Sequence, residues 1–127
     1  MRNKATAIIV QNRKLLIVKS DRNGYWSLPG GRLMGGETYA EGRDREVNEE
    51  LNCDVAYAKH YRTLSYYSRE KRLPTKNKAY FVILDGNPEP SEEIRKLAWI
   101  DRRSADKYSL STSLGIIMPM LIEDGIL

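Results

Sequence analysis

Three glutamates lie close together near the end of a predicted helix, at Glu46, Glu49 and Glu50. Residues three and four positions apart share one face of an α-helix, so the three carboxylates are neighbours. Like charges at this spacing cost a helix roughly 0.2 to 0.5 kcal/mol per pair, and acidic groups near a helix C-terminus also oppose the macrodipole. Helix formation alone therefore does not account for the cluster.

The acidic cluster has two interpretations. In the first, it is a solvated helix face whose charge Arg43 and Arg45 compensate. In the second, the carboxylates are held together to bind one or more divalent cations. Magnesium prefers carboxylates, water and substrate phosphates as ligands, so the second interpretation predicts chemistry at phosphate groups.

A predicted helix over residues 38–51 positions the three carboxylates. Thr38 and Glu41 have the spacing of a capping box, in which the two side chains satisfy amide groups at the start of a helix. At about 100° per residue, the residues that fall within a narrow arc and form the predicted buried stripe are Ala40, Val47 and Leu51. Asn52 follows as a predicted left-handed cap, because asparagine tolerates that conformation well.

Strand-like segments flank this helix on both sides. Residues 5–10 and 15–19 predict a hairpin, and further strands are predicted over 54–68, 80–84 and 96–101. Residues 69–78 are strongly basic and predict either an exposed hairpin loop or an electrostatic funnel for phosphates or an RNA backbone. A closing helix is predicted over about 114–123, with Pro119 expected to kink it or shift its start. This order predicts a mixed sheet with helices on both faces, α+β or α/β in class.

Composition places limits on the class of protein. The 127 residues predict a single domain over 1–127 with one hydrophobic core. The hydrophobic content of 41% and the charged content of 30% are typical of a soluble globular protein. One cysteine excludes an internal disulfide. The apolar stretches are too short for a signal peptide core or a membrane span, so we expect a cytoplasmic protein with no membrane partner.

The segment from Gly31 to Cys53 resembles the Nudix box. That pattern is a glycine, five residues, a glutamate, seven residues, and then Arg-Glu-aliphatic-any-Glu-Glu-any-Gly-aliphatic. The matching positions here are Gly31, Glu37, Arg45, Glu46, Val47, Glu49 and Glu50. Two positions depart from the pattern: Asn52 replaces the usual glycine, and Cys53 replaces an aliphatic residue. Every charged position of the box is present at the family's spacing.

The resemblance implies a fold and a set of functional residues. The fold is the family's three-layer α/β/α sandwich. The implied metal ligands are Glu46, Glu49, Glu50 and the Gly30 carbonyl, and either Glu46 or Glu49 accepts the proton from the attacking water. Arg45 orients the glutamates, with Glu37 assisting. A further glutamate from a later loop, Glu92 or Glu93, is a weaker candidate for the same site.

The implied function is a magnesium-dependent pyrophosphohydrolase, with manganese as an alternative metal. Its substrate is a nucleoside diphosphate linked to a further group X, such as a nucleoside triphosphate, an oxidised nucleotide or a nucleotide sugar. The alternatives are an RNA 5′-end pyrophosphohydrolase, suggested by the basic segment, and a catalytically silent nucleotide-binding sensor. The substrate-binding residues stay unassigned at this point, and a homodimer is one of the open oligomeric states.

Overall fold

The computed structural model of the chain describes residues 1–91 and 94–127. The strands described are β1 (Arg2–Ile8), β2 (Val10–Gln11), β3 (Lys14–Ser20), β4 (Gly30–Arg32), β5 (Asp54–Ser68), β6 (Leu73–Asp85) and β7 (Ile94–Ile100). The helices are α1 (Tyr39–Leu51) and α2 (Thr112–Glu123), and a short 3-10 turn covers Ala105–Lys107.

The strands form two sheets. In the larger sheet the order is β4-β1-β6-β5, with β1 parallel to β6 and the other neighbours antiparallel. In the smaller sheet, β3 lies between β2 and β7, and both pairings are antiparallel. The predicted mixed sheet is therefore confirmed.

Alternate residues of the central strands form the core on opposite faces. Ile8, Leu15 and Ile17 belong to a cluster with apolar residues of α2, namely Leu114, Ile117 and Leu121. Their chain neighbours Ala7, Ile9, Leu16 and Val18 belong to a second cluster with residues of α1, namely Val47 and Leu51. Successive side chains of a strand point to opposite faces, so one helix covers each side. The three-layer arrangement and the α+β class are confirmed.

The first predicted strand was wrong in one respect, because residues 5–10 do not form one continuous strand. The chain leaves the larger sheet after Ile8, and the hairpin forms between β2 and β3. Asn12 and Arg13 turn this hairpin with φ values of 52° and 59°. Residues 5–9 are all buried. Their hydrophobic pattern therefore does not show where the chain passes from one sheet to the other.

The extent of the loop in the basic segment 69–78 was also predicted incorrectly. Only residues 69–72 turn the chain, and β6 begins at Leu73 instead of Tyr80. Within this part of β6 the inward positions are polar, since Thr75 and Asn77 are completely buried. Alternation of polar with basic residues hides the strand from a search based on hydrophobic periodicity.

The closing helix begins two residues earlier than predicted. Ser111 caps it, with its hydroxyl accepting a hydrogen bond from the Leu114 amide at 3.3 Å. The helix continues through Pro119 to Glu123. In the part of the chain that the structure describes, no helix has the length and apolar character needed to cross a membrane.

Candidate active site

Helix α1 begins and ends at local signals that hold it in place. The Thr38 hydroxyl accepts from the Glu41 amide at 3.1 Å, and the Glu41 carboxylate accepts from the Thr38 amide at 2.9 Å. Asn52 has a φ of 53° at the C-terminal cap. Val47 and Leu51 are completely buried, as predicted, but Ala40 is exposed. The capping box and the left-handed cap are confirmed, while only Val47 and Leu51 of the three predicted stripe residues are buried.

Arg45 connects the charged positions of the site. Its Nε donates to Glu37 Oε2 at 2.7 Å and its Nη2 donates to Glu37 Oε1 at 3.0 Å. Its Nη1 donates to Glu46 Oε1 at 2.9 Å and to Glu49 Oε2 at 3.2 Å. Nη2 also reaches the carbonyl oxygen of Arg32 at 3.1 Å, so one guanidinium joins the helix to the loop before it.

Arg45 and Glu37 each stabilise the charged form of the other. Hydrogen bonds from Arg45, and then from the Met34 amide, hold the pKa of Glu37 below its usual value. Contacts with Glu37 raise the pKa of Arg45 further above its ordinary range. Arg43, the other expected source of compensating charge, instead pairs with Asp44 and lies over the ring of Tyr80. Of these two arginines, Arg45 is therefore the one that contacts the cluster, through Glu46 and Glu49.

Strand β4, at the start of the glycine-rich segment, approaches the cluster at two points. The Gly30 amide donates to Glu50 Oε1 at 2.7 Å, and Glu50 is only 6% exposed. A Cβ added to Gly31 would lie 2.8 Å from Glu46 Oε1. Gly30 has a φ of 140°, and a Cβ there would lie 2.2 Å from the Ala5 carbonyl oxygen. Glycine at position 31 lets the backbone lie directly against Glu46, and glycine at position 30 lets it lie directly against β1.

The donor set fits a hard divalent cation in its chemistry. One nitrogen of Arg45 contacts both Glu46 and Glu49, which shows that these two carboxylates can share a single positive charge. Glu50 lies against the Gly30 backbone. Among the described residues, however, no three His, Cys, Asp or Glu side chains are arranged as a ready-made metal cage. Oxygen donors of this kind match magnesium and manganese.

The later loop predicted from the sequence holds the two weaker candidates for the metal site. Glu92 and Glu93 lie outside the described residues.

Cys53, which replaces an aliphatic residue of the box, is 5% exposed and packs in the cluster beneath α1. Its thiol donates to the Asn87 carbonyl, and burial raises its pKa. Cys53 therefore serves as a small buried side chain.

A cleft of about 290 Å³ opens beside the site, with Gly30, Gly31 and Glu50 in its lining. Four cationic side chains also line it: Arg2, Lys4, Arg22 and Lys71. Sequence reasoning missed Arg2, Lys4 and Arg22, whereas Lys71 belongs to the basic segment 69–78, for which an electrostatic funnel was one of the two predictions. One signal was present, because Arg2 and Lys4 are two apart on a strand and therefore share a face.

The pKa of Lys4 reflects its burial and the charges that line this cleft. Burial, and then repulsion by Arg2, lower its pKa to about 8, against the opposing attraction of Glu50 and Glu70. A weaker contribution from Lys71 also lowers it. The cationic groups of the cleft therefore repel one another, and an anionic ligand would relieve that repulsion.

Known proteins resemble this chain in sequence. An 8-oxo-dGTP diphosphatase of Buchnera aphidicola is 26% identical over 86 residues, which cover 65% of this chain and 62% of that protein. The 8-oxo-dGDP phosphatase NUDT18 of Homo sapiens is 34% identical over 104 residues, which cover 74% of this chain and 30% of that protein. The chain thus spans less than two thirds of the length of either relative.

Solved structures resemble it in fold. A MutT NUDIX hydrolase from Burkholderia pseudomallei superposes with a TM-score of 0.79 at 23% identity, covering 93% of this chain and 95% of that one. A bifunctional NMN adenylyltransferase/ADP ribose pyrophosphatase from Francisella tularensis, complexed with AMP and a manganese ion, gives a TM-score of 0.74 at 22% identity, covering 97% and 41%. Residues 1–119 match the profile of the NUDIX domain family. The chain therefore belongs to the NUDIX domain family.

Proposed function

We propose that this chain is a divalent-cation-dependent pyrophosphohydrolase that cleaves a nucleoside diphosphate linked to a further group X. The observation that carries the proposal is the bridge from Arg45 Nη1 to both Glu46 and Glu49. This bridge lies beside a glycine loop whose residues open into a cationic cleft. Carboxylates for a cation and cations for phosphates are thus adjacent, as cleavage of a diphosphate requires.

The metal ligands in this proposal are Glu46, Glu49, Glu50 and the Gly30 carbonyl, with magnesium as the metal and manganese as an alternative. When bound, such an ion neutralises phosphate charge and lowers the pKa of a coordinated water. Glu46 or Glu49 accepts the proton of the attacking water. Arg45 and Glu37 are positioning residues, since their hydrogen bonds fix the two carboxylates relative to the loop.

The relatives and the cleft support an order in which candidates for X are assayed. The sequence relatives are named for activity on 8-oxo-dGTP and 8-oxo-dGDP. Oxidised guanine nucleotides are therefore the first substrates to assay, followed by other nucleoside triphosphates and nucleotide sugars. The cationic cleft favours the more highly charged members of this group.

The experiment compares the purified wild-type protein with Glu49→Gln and Glu50→Gln on this nucleotide panel with magnesium. We expect each substitution to lower turnover at least tenfold, because each removes a charged oxygen donor. Asp44→Asn is the matched control, since Asp44 lies on the same helix and pairs with Arg43 away from the cluster. Undiminished turnover in both glutamate variants would refute the assigned site.

An RNA 5′-end pyrophosphohydrolase is a second candidate, favoured by the convergence of Arg2, Lys4, Arg22 and Lys71 in one cleft. Triphosphorylated RNA and mononucleotides in competition separate the two functions. RNA binding would fall steeply with salt because several phosphate contacts release counterions. A silent sensor, in contrast, would bind nucleotide in calorimetry and release no product in chromatography.

A further inference from the structure

A second depression adjoins the cleft and is larger, at about 600 Å³. Arg2 and Lys71 line both spaces, so these two cations stand between them. The other described charged side chain of the second depression is Arg32, from the end of β4. The first cleft contains Glu50 and Glu70 as well as cations, whereas the described charges of the second are the three cations.

The size of the first cleft leaves part of a substrate outside it. Pockets that enclose drug-sized ligands occupy roughly 300 to 1,000 Å³, and the first cleft has about 290 Å³. The first cleft thus lies at the lower end of this range, and we take the further group of a nucleoside diphosphate to extend beyond it. The second depression shares Arg2 and Lys71 with this cleft, so a group that extends past these two side chains meets the second depression.

Lys71 lies on a turn that is tied to the rest of the fold. Its neighbour Glu70 accepts from both the amide and the hydroxyl of Thr112, at the start of α2. Glu70 Oε2 also accepts from the Ser68 hydroxyl at 2.9 Å, and the Lys71 amide donates to the Ser68 hydroxyl at 3.2 Å. These bonds hold the backbone of Lys71 at the boundary of the two spaces, which lowers the entropy cost of binding there.

We propose that the second depression is the subsite for X, and that Lys71 selects substrates in which X is anionic. The inference rests on the proposed function, because it takes the cleft beside Gly30 and Glu50 as the place where the diphosphate binds. A terminal phosphate as X would contact Lys71 with Arg2 and Arg32, while a neutral sugar as X would leave these cations without an anionic partner.

The test measures binding of two methylene-bridged, non-hydrolysable analogues in the presence of magnesium. One is a nucleoside triphosphate analogue, and the other is a nucleoside diphosphate sugar analogue with the same base. The variant is Lys71→Gln, and Arg72→Gln is its matched control. Arg72 is the next residue of the same turn and carries the same charge, but it is not in the lining of either space.

We expect Lys71→Gln to raise the Kd of the triphosphate analogue about tenfold, as loss of one charge-assisted contact predicts. The Kd of the sugar analogue should change less than about twofold, and Arg72→Gln should leave both close to wild type. Equal weakening of both analogues, no weakening of either, or the same selective effect in Arg72→Gln would overturn the proposal. Because the readout is binding, a wild-type protein that hydrolyses no nucleotide would disprove the proposed function without deciding this result.

Discussion

Arg45 and Glu37 form a two-pronged ion pair, with the guanidinium Nε and Nη2 at 2.7 and 3.0 Å from the two carboxylate oxygens. The planar guanidinium group makes this arrangement specific, since parallel N–H groups match the geometry of a carboxylate. The remaining nitrogen is then directed toward Glu46 and Glu49. The pair therefore sets the position of two carboxylates that belong to the proposed metal site.

Arg45→Lys tests this positioning role. A lysine ammonium cannot make the planar fork to Glu37 and also reach Glu46 and Glu49. We expect kcat to fall about tenfold or more, and the magnesium concentration for half-maximal activity to rise. Arg43→Lys is the control, because Arg43 pairs with Asp44 and lies 4.7 Å from the centre of the Tyr80 ring. An equal loss in both variants would point to a general effect of lysine in this helix.

Gly31→Ala tests the close approach of the loop to Glu46. The added Cβ would lie 2.8 Å from Glu46 Oε1, so the carboxylate has to move. We expect the protein to fold, with turnover reduced at least tenfold and a changed magnesium titration. Gly35→Ala serves for comparison, because a Cβ at Gly35 meets nothing within 4 Å. Full activity in Gly31→Ala would contradict this role, because it would show that Glu46 can move away from the added methyl group without loss of function.

Asn52→Ala tests the departure from the family pattern. Asn52 adopts a left-handed conformation and its side chain donates to the Pro90 carbonyl at 3.1 Å. Alanine in this conformation costs about 1 to 2 kcal/mol, so the free energy of unfolding should fall by about that amount in urea denaturation. Asn52→Gly should cost less than Asn52→Ala, since glycine adopts this conformation readily. Equal losses in the two variants would assign the stabilisation to the side-chain hydrogen bond instead.

Glu70→Gln tests the attachment of the turn to α2 through its pH dependence. Burial opposes ionisation of Glu70, but hydrogen bonds from Thr112 and Ser68 outweigh it and hold its pKa below the usual value. The unfolded chain binds this proton more tightly than the folded chain, so Glu70 stabilises the fold above the ordinary glutamate pKa of about 4.3. That contribution is lost as the pH falls through the lower pKa of the folded state.

The measurement is urea unfolding of wild type and Glu70→Gln between pH 6 and pH 3. Wild type should lose more of its unfolding free energy over this range than the variant, whose amide does not titrate. The glutamine amide oxygen can still accept from Thr112, but the amide nitrogen cannot accept from the Ser68 hydroxyl. The slope of stability with pH, and not the loss at one pH, therefore reports the charge. Parallel pH profiles for the two proteins would contradict the role assigned to Glu70.

The predictable parts of the molecule depend on contacts between residues close in sequence. The capping box joins Thr38 to Glu41, and the cap at Asn52 bonds back to Asn48. These signals are local, so the helix and the relative positions of its glutamates could be predicted. The fold class followed from the order of the elements and from the resemblance of the box.

The sequence indicated a cationic segment at 69–78, but the residues that join Lys71 in the cleft could not be predicted, because distant parts of the chain build it. Arg2 pairs in register with Thr75 through the parallel alignment of β1 and β6. This pairing brings the start of the chain close to the turn that carries Lys71. Parallel neighbours distant in sequence leave no periodic signature. The strand over 73–79 was missed for a related reason, since its buried positions hold polar residues such as Thr75 and Asn77.

The guanidinium that joins Glu46 to Glu49 gives the acidic cluster an internal counterion before any external ion arrives. We therefore expect fold integrity and the proposed metal dependence to be separable. A chelator is expected to stop turnover while the melting temperature and the helical circular dichroism signal stay close to those of the metal-loaded protein. Metal-free preparations can consequently serve as folded references in every comparison of variants.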